Sequence, residues 1–536
     1  MASPSGATGR YCKLYLGLGP VVRLYVNDDS TEELVGIPLN DPLDVKKFPP
    51  FCRYAPTLSF FFKDEARTLD AGNSYAQGGG GVASYAWSGG GSASTKAYTV
   101  TSAGQSTVTC TVTDGNGIAT VGTRWIRCVT RPGVGAAGDQ AITSFRMGTI
   151  RGAISERGWT GYSVDVEVLD QSLVNEFTLG RMVVIYAEEY ERTGAGAYSL
   201  FASGEKFVGV ITSPKLVIDP EKSTFSFTAQ TIEGAFTSRL GHTLDGDDHL
   251  FLDRLLFEAN DVSDPMAGGA MAAPGMGPTP LGVALPGSHH WPTMTLGKVL
   301  AHLLHWHVEI DMDGTRYRLT QVVDVVSDWW NLLAGSTATA GKYFNIPRGG
   351  IKNAIENCLP EGLWTMYCDK EGRINLTPHH AAKATPDAAV DSITQALVYE
   401  LEPIDGDSDV VRQVLVHQSP QAKTDLTTEG LIGFYPSSAD ATGSILQPSW
   451  PYWFDTQAQG NALAQSMYVH ANANARVRIR LAGTTFGIFN RFTLTVTGFS
   501  AYAWTAKAFW VESDSISSDQ EWLGGLVQEI VGREVA

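Results

Sequence analysis

At 536 residues the chain is too long for one core, and roughly three to five domains are expected. Charged residues make up 18%, below the typical share of about 25%, and 57 glycines with abundant Ser, Thr, Val and aromatics favour a β-rich protein with many turns. The net charge of −17 keeps the chain soluble and excludes nucleic-acid binding by phosphate neutralisation, which needs clustered Lys and Arg; it leaves room for an acidic passage through which DNA slides without sticking.

Residues 1–54 read as an N-terminal arm or partial domain, with strand candidates at Tyr11–Leu16 and Val21–Val26 and turns punctuated by Pro42, Pro49 and Pro50. Residues 55–131 carry Leu69–Ser74, then Val82–Gly91 around Trp87, then Tyr98–Gly104, and then Thr107–Gly117. Thr107–Thr113 alternates as a strand does, and Trp87 suits the gap between two sheets. The order of these segments resembles the immunoglobulin-like repeat named after polycystic kidney disease. One departure is that the acid of the family's GDG loop is missing, and Gly89–Gly91 stands in its place. The resemblance implies an inserted immunoglobulin-like β-sandwich that acts as a rigid spacer or contacts a surface glycan or protein.

Arg131–Gly138 is a linker by composition. From there to residue 240 the pattern predicts a compact antiparallel barrel or sandwich: strands at Phe145–Ile154, Tyr162–Leu169 and Arg181–Tyr186, a polar connection over Glu188–Gly196, and strands at Phe207–Thr212, Leu216–Ile218 and Thr224–Glu233. Ser213-Pro214 is read as a turn, since proline fixes φ and cannot donate to a ladder. Phe225, Phe227 and Ala229 share one face of the last strand, which leads into a short helix, Glu233–Leu240. A strand, a long excursion, a second strand and an alternating strand ending in a helix resemble the β-barrel of phage tail hub proteins, which sit where the tail tube meets the baseplate.

Residues 241–395 read as a small α/β middle region with a long loop. Leu250–Phe257 has helical spacing, whereas Met266–His290 is aperiodic and rich in Gly, Ala, Met and Pro. A loop of that length is expected to be held by neighbouring subunits of an assembly, a role that flexible methionines suit. Thr295–His305 has helical spacing and leads to strands at Val308–Met312 and from Tyr317, and Gly349–Asn357 starts a helix. Then come a strand at Leu363–Cys368, a turn at Asp369–Gly372 and a return strand at Arg373–Pro378. This helix, strand, D-x-x-G turn and strand ending in proline again resembles hub proteins.

Residues 396–536 are read as a second barrel. The region is β-rich over 396–420 and 476–516, with strands at Arg476–Leu481, Phe492–Val496 and Phe509–Ser515. A helix spans Ala458–Asn472, offering Ala462, Leu463, Ser466, Met467 and His470 to one face, and Trp522–Val531 is expected to end the chain as an amphipathic docking helix. The fold class that follows is mainly β with α+β parts: two hub-type antiparallel β-barrels, a small α/β middle region and an immunoglobulin-like β-sandwich. The hub resemblance implies a structural, non-enzymatic protein of the virion tail, assembled in the host cytoplasm. Two similar barrels per subunit let a homotrimer present a pseudo-sixfold ring to a sixfold tail tube. The implied partners are the tail tube or distal tail protein, the C-terminus of the tape-measure protein, and tip or fibre proteins. DNA only passes through the lumen.

No catalytic, cofactor-binding or metal-ligating residue is assigned. His302, His305 and His307 flank Trp306, with His289 and His290 upstream, but only Glu309 and Asp311 lie near them and there is no HExxH, so packed or exposed histidines are favoured. Asp245–His249 lacks the alternating order and downstream Glu of a calcium loop. Gly78–Gly81 and Gly89–Gly91 lack the Lys-Ser/Thr ending of a phosphate cradle, and no GxSxG occurs. Cys12, Cys52, Cys110, Cys128, Cys358 and Cys368 form no CxxC pair and are expected as free thiols. The N-terminus lacks a secretory pattern, and no run of about twenty apolar residues could span a membrane. The rival is an extracellular glycan-binding or carbohydrate-active protein, to which 13 tryptophans would lend stacking surfaces.

Overall fold

The computed structural model describes residues 10–26, 50–53, 57–76, 81–154, 159–192, 196–217, 224–236, 308–325, 364–380, 387–394, 398–405, 411–418, 430–437, 444–447, 456–472, 475–497, 503–518 and 525–535, with short pieces at 241–243, 289–291 and 342–344 and single positions 300, 304, 352, 355, 356 and 359. The architecture is mainly β, and two barrels dominate it. The first uses β1 (Arg10–Val26), β2 (Phe145–Met147), β3 (Ile150–Ala153), β4 (Tyr162–Val168), β5 (Arg181–Arg192), β6 (Tyr198–Val217) and β7 (Thr224–Gln230). The second uses β8 (Asp391–Thr394), β9 (Val398–Asp405), β10 (Ala475–Ala482), β11 (Arg491–Val496), β12 (Trp504–Ser518) and β13 (Leu526–Glu534).

In the first barrel the order is β1-β5-β6-β7-β4, with β2 and β3 beyond β4, all antiparallel. A bridge between Leu16 of β1 and Ile142, just ahead of β2, brings the sheet back on itself. Alternation along these strands sends Val164, Val166, Val183, Ile185, Phe225 and Phe227 into one apolar core. In the second barrel the order is β8-β11-β12-β13-β10-β9, and in the sequence only residues 395–397 lie between its two end strands. Val477, Ile479, Phe492, Leu494, Phe509 and Ile530 fill it. The barrels share a wall: β3 pairs with β4 on one edge and with β12 on the other.

The 55–131 region forms a four-stranded sheet from Thr57–Phe62, Ala119–Val129, Gly104–Asp114 and Val82–Trp87, and a two-stranded sheet from Ala66–Asp70 and Thr95–Thr99. They share a core in which Trp87 packs with Leu69, Val108 and Ile126. The middle region supplies a sheet of Trp159–Thr160, Trp364–Cys368, Ile374–Pro378 and Val323–Val325, and the Val308–Met312 hairpin extends β1. The helix Gln457–Ala471 packs Leu463, Ala464 and Met467 against a small sheet around Val414; Ala462 is exposed, so the buried stripe runs one step off the expected face.

Several expectations are corrected. The N-terminal strands are one, and it belongs to the first barrel rather than to an arm: β1 runs through Gly17, Gly19 and Pro20 with an irregularity after Leu18. A Cβ at Gly19 would lie 2.6 Å from Leu58, and one at Gly17 would lie 2.9 Å from Phe60, so these glycines let the inserted module seat against the barrel. Most of the polar connection after Tyr186 is also strand, since β5 continues to Arg192. Ser213-Pro214 does not turn the chain: β6 passes straight through, with Pro214 on an edge where no ladder needs its N–H. Over the described part of the expected helix Glu233–Leu240 there is a short 3₁₀ turn, Ile232–Phe236, and residues 237–240 lie outside the described residues. The C-terminal helix is overturned: Leu526–Glu534 is β13, held between β12 and β10. A short apolar run fits either period, and two waiting sheet edges decide the outcome. Leu250–Phe257 and most of Met266–His290, Thr295–His305 and Gly349–Asn357 lie outside the described residues.

Candidate functional site at the junction of the barrels

The D-x-x-G hairpin forms where the sequence placed it. Trp364–Cys368 pairs antiparallel with Ile374–Pro378. The Asp369 carboxylate accepts from the backbone N–H of Glu371 at 3.0 Å and of Arg373 at 2.9 Å, and Gly372 takes φ +81°. This tip is wedged between the barrels. The Val208 N–H of β6 donates to the Lys370 carbonyl at 2.8 Å, and the Lys370 ammonium donates to the carbonyls of Thr484 (2.6 Å) and Phe486 (2.8 Å), between β10 and β11. Burial lowers the Lys370 pKa, opposed chiefly by the charge of Asp514. Thr57 of the inserted module donates to the Glu371 carbonyl at 3.3 Å, so the same turn touches a third part of the molecule.

Along the shared wall, the Tyr162 hydroxyl donates to Asp514 at 2.8 Å and accepts from the Ile488 N–H at 2.7 Å. Gln528 donates to Asp514 at 2.7 Å and to the Phe486 carbonyl at 2.7 Å, and it accepts from the Phe486 N–H at 3.0 Å. These side chains are buried, and burial raises both the Tyr162 and the Asp514 pKa. A Cβ at Gly152 would lie 2.6 Å from the Tyr162 ring, which leaves glycine the residue that fits opposite it. A second buried tie runs from Lys206 of β6 to Glu189 (2.8 Å) and to Thr484 (2.6 Å) of the second barrel.

The inserted module is anchored in the same manner. Glu188, buried on β5, accepts from Tyr15 (3.0 Å), Tyr190 (2.9 Å) and Arg131 (3.1 Å). Burial alone would raise its pKa, but these hydrogen bonds outweigh burial and hold it below its ordinary value, and Tyr190 is pushed up to about 12 by burial and by Glu188. Arg67 grips Glu205 at 2.9 and 3.0 Å, and Phe60 stacks on Tyr186 with centroids 4.9 Å apart. Between the barrels lies an open groove of about 670 Å³ with cations (Arg151, Lys352, Arg478) and carboxylates (Glu233, Asp514, Glu529) mixed along it. Burial raises Glu233, whose carboxylate accepts from the Thr231 hydroxyl at 2.7 Å. The chemistry of this junction is cohesive: it fixes two barrels, a turn and a module in one arrangement.

Those weighed sequence candidates that the structure describes lie elsewhere. His289 and His290 sit on a short strand paired with Lys342–Phe344, while His302, His305, His307, Asp245–His249 and Gly78–Gly80 fall outside the described residues. Among the described residues no group of three metal-type ligands converges. At Gly89–Gly91 the Lys96 ammonium donates to the Ser88 and Gly90 carbonyls, so the loop is gathered around a cation. Cys12, Cys52, Cys110, Cys128 and Cys368 form no disulfide, and Cys110 and Cys128 stand opposite Gly122 and Gly104 rather than each other. The residues that hold the junction were missed. Glu188 and Glu189 fall in the expected polar connection and Lys206 has no expected role, although charges beside apolar strand residues are the signal that a buried pair leaves.

No known protein family matches the chain, and no curated protein matches it. Among solved structures it is similar to the tail protein from Neisseria meningitidis MC58, with 10% identity over 74% of this chain and 94% of that one and a TM-score of 0.40. It is similar to the 43 kDa tail protein of prophage MuSo2 from Shewanella oneidensis, with 10% identity over 75% and 97% and a TM-score of 0.39. It is also similar to the prophage tail protein gp18 from Listeria monocytogenes EGD-e, with 8% identity over 74% and 90% and a TM-score of 0.36.

Proposed function

We propose that this chain is a structural tail hub of a phage or phage-like particle, non-enzymatic, whose copies form a ring that joins the tail tube to the baseplate or tail tip and lets DNA through. One observation carries the reading: the chain contains the same four-stranded unit twice. The strand order β4-β7-β6-β5 recurs as β10-β13-β12-β11, antiparallel throughout. The third strand of each unit is bulged at one matching place, between Ile211 and Ser213 in β6 and between Val511 and Ser513 in β12. Aligned on the bulge, Val164, Val166 and Val168 fall on Val477, Ile479 and Leu481, all buried.

Two like units per chain in a homotrimer supply the pseudo-sixfold seat that a sixfold tube needs. The tube or distal tail protein would meet this ring, with the tape-measure C-terminus and tip or fibre proteins as further contacts. The 55–131 region would be an immunoglobulin-like module, clamped at Glu188 and Glu205 and so a rigid outrigger. Mass measurement of the purified chain and cryo-microscopy of particles test the reading. Three copies around one axis are expected, and a persistent monomer with no ring in any particle overturns it.

A further inference from the structure

The repeat exposes an asymmetry. In the second unit, the end of β12 beyond its bulge is covered by β3, with pairs Ser513–Ala153, Asp514–Gly152, Ser515–Arg151 and Ile516–Ile150. Ile516 is 0% exposed and packs into the core of the first barrel, not its own. In the first unit the matching stretch, Ser213–Val217, pairs among the described residues with β7 only, because β5 leaves β6 at Val210. Here Leu216, the counterpart of Ile516, is 54% exposed, and Val217 is 42% exposed. The strand that plays the part of β3 in the second barrel is β9. It flanks β10 as β3 flanks β4, with Ile404 opposite Arg476 where Arg151 stands opposite Ser163. Apart from β10, β9 has no strand partner among the described residues.

We propose that β9 of a second copy of this chain pairs antiparallel with the bare edge Ser213–Val217 of β6, and that Leu216 thereby enters the neighbour's second barrel as Ile516 enters the first. The register follows from the internal one: Lys215 opposite Ile404, and Leu216 opposite Pro403. The hydrogen-bonding sense also carries over, except that Pro403 has no N–H to give the Leu216 carbonyl, so at that pair the Leu216 N–H to Pro403 carbonyl bond stands alone. The Glu512 carbonyl accepts from Ile154 at 2.8 Å, so beyond the bulge the backbone of Asp514 and Ile516 faces β3. Pro214 and Leu216 therefore face the bare edge. Pro214 blunts that edge against indiscriminate pairing, while its carbonyl and the Leu216 N–H remain available. Each copy offers one edge of each kind, so the contact is head-to-tail and propagates around an axis.

This inference rests on the ring reading and names its contact, and the two can fail separately. Full-length Lys215→Cys and Ile404→Cys variants are mixed and treated with a short bis-maleimide, and Leu216→Asp is compared with the native chain by mass. The contact is supported if covalent dimers form in the mixture but from neither variant alone, and if Leu216→Asp weakens association at least tenfold while its circular dichroism melt stays native. If the oligomer persists with no 215–404 link and Leu216→Asp is harmless, the edge contact is overturned and the ring stands. A native chain that never associates overturns both.

Discussion

The two barrels are built from one four-stranded unit, yet they are finished differently. The first recruits β1, from ahead of the inserted module, as an antiparallel neighbour of β5; the second recruits β8 as a parallel neighbour of β11. The first grows a long hairpin from β5 and β6 with Tyr198, Leu200 and Phe201 exposed towards its end, whereas β11 stops at Val496. The difference teaches that the repeated unit sets the shape of a barrel, while its flanking strands set what the barrel can attach to. The first barrel anchors the module and lends β3 to the shared wall, while the turn is held by both barrels.

The largest expected effect comes from the tie between the barrels. Lys206→Ala leaves Glu189 buried without its cation, and loss of one partner of such a pair costs about 3–5 kcal/mol. Urea unfolding should show that loss; a change within error would mean that the buried Lys206–Glu189 pair adds nothing to stability. Next is a position where the two units differ in size. At Gly209 a Cβ would lie 2.4 Å from the Gln230 carbonyl, while Phe509 is accommodated at the matching place on β12. Gly209→Ala should therefore destabilise by about 1–3 kcal/mol through overpacking, seen in the thermal midpoint. The smallest effect is acid sensitivity at the module anchor. The folded Glu188 pKa lies below the ordinary 4.5, so its contribution is present above that value and is lost as pH falls through the folded pKa. Melting the native chain and Glu188→Gln from neutral pH downwards should show the native advantage shrinking in that window, and a constant gap would exclude the carboxylate as its source.

How much was legible varied with the kind of signal. The D-x-x-G turn was readable because its chemistry is local: an Asp that accepts from its own following N–H groups and a glycine at positive φ. The alternation in Tyr162–Val168 and Thr224–Gln230 was readable because a half-buried strand shows its two faces in order. Leu526–Glu534 was not, since a short apolar stretch suits a helix or a strand until an edge claims it. Nor was the use of β1, because its partners Arg181–Arg192 and Val308–Met312 lie far along the chain.

By itself, then, the sequence determined a β-rich chain, the turn, and two regions of barrel-like alternation, since all of these are set by neighbours a few residues apart. Tertiary structure alone decided that Pro214 continues a strand, that Lys206 finds Glu189 and Thr484, and that β3 serves two barrels at once. Those outcomes depend on which edge or charge lies across a gap in space, and the period of a single segment carries no record of what will come to face it.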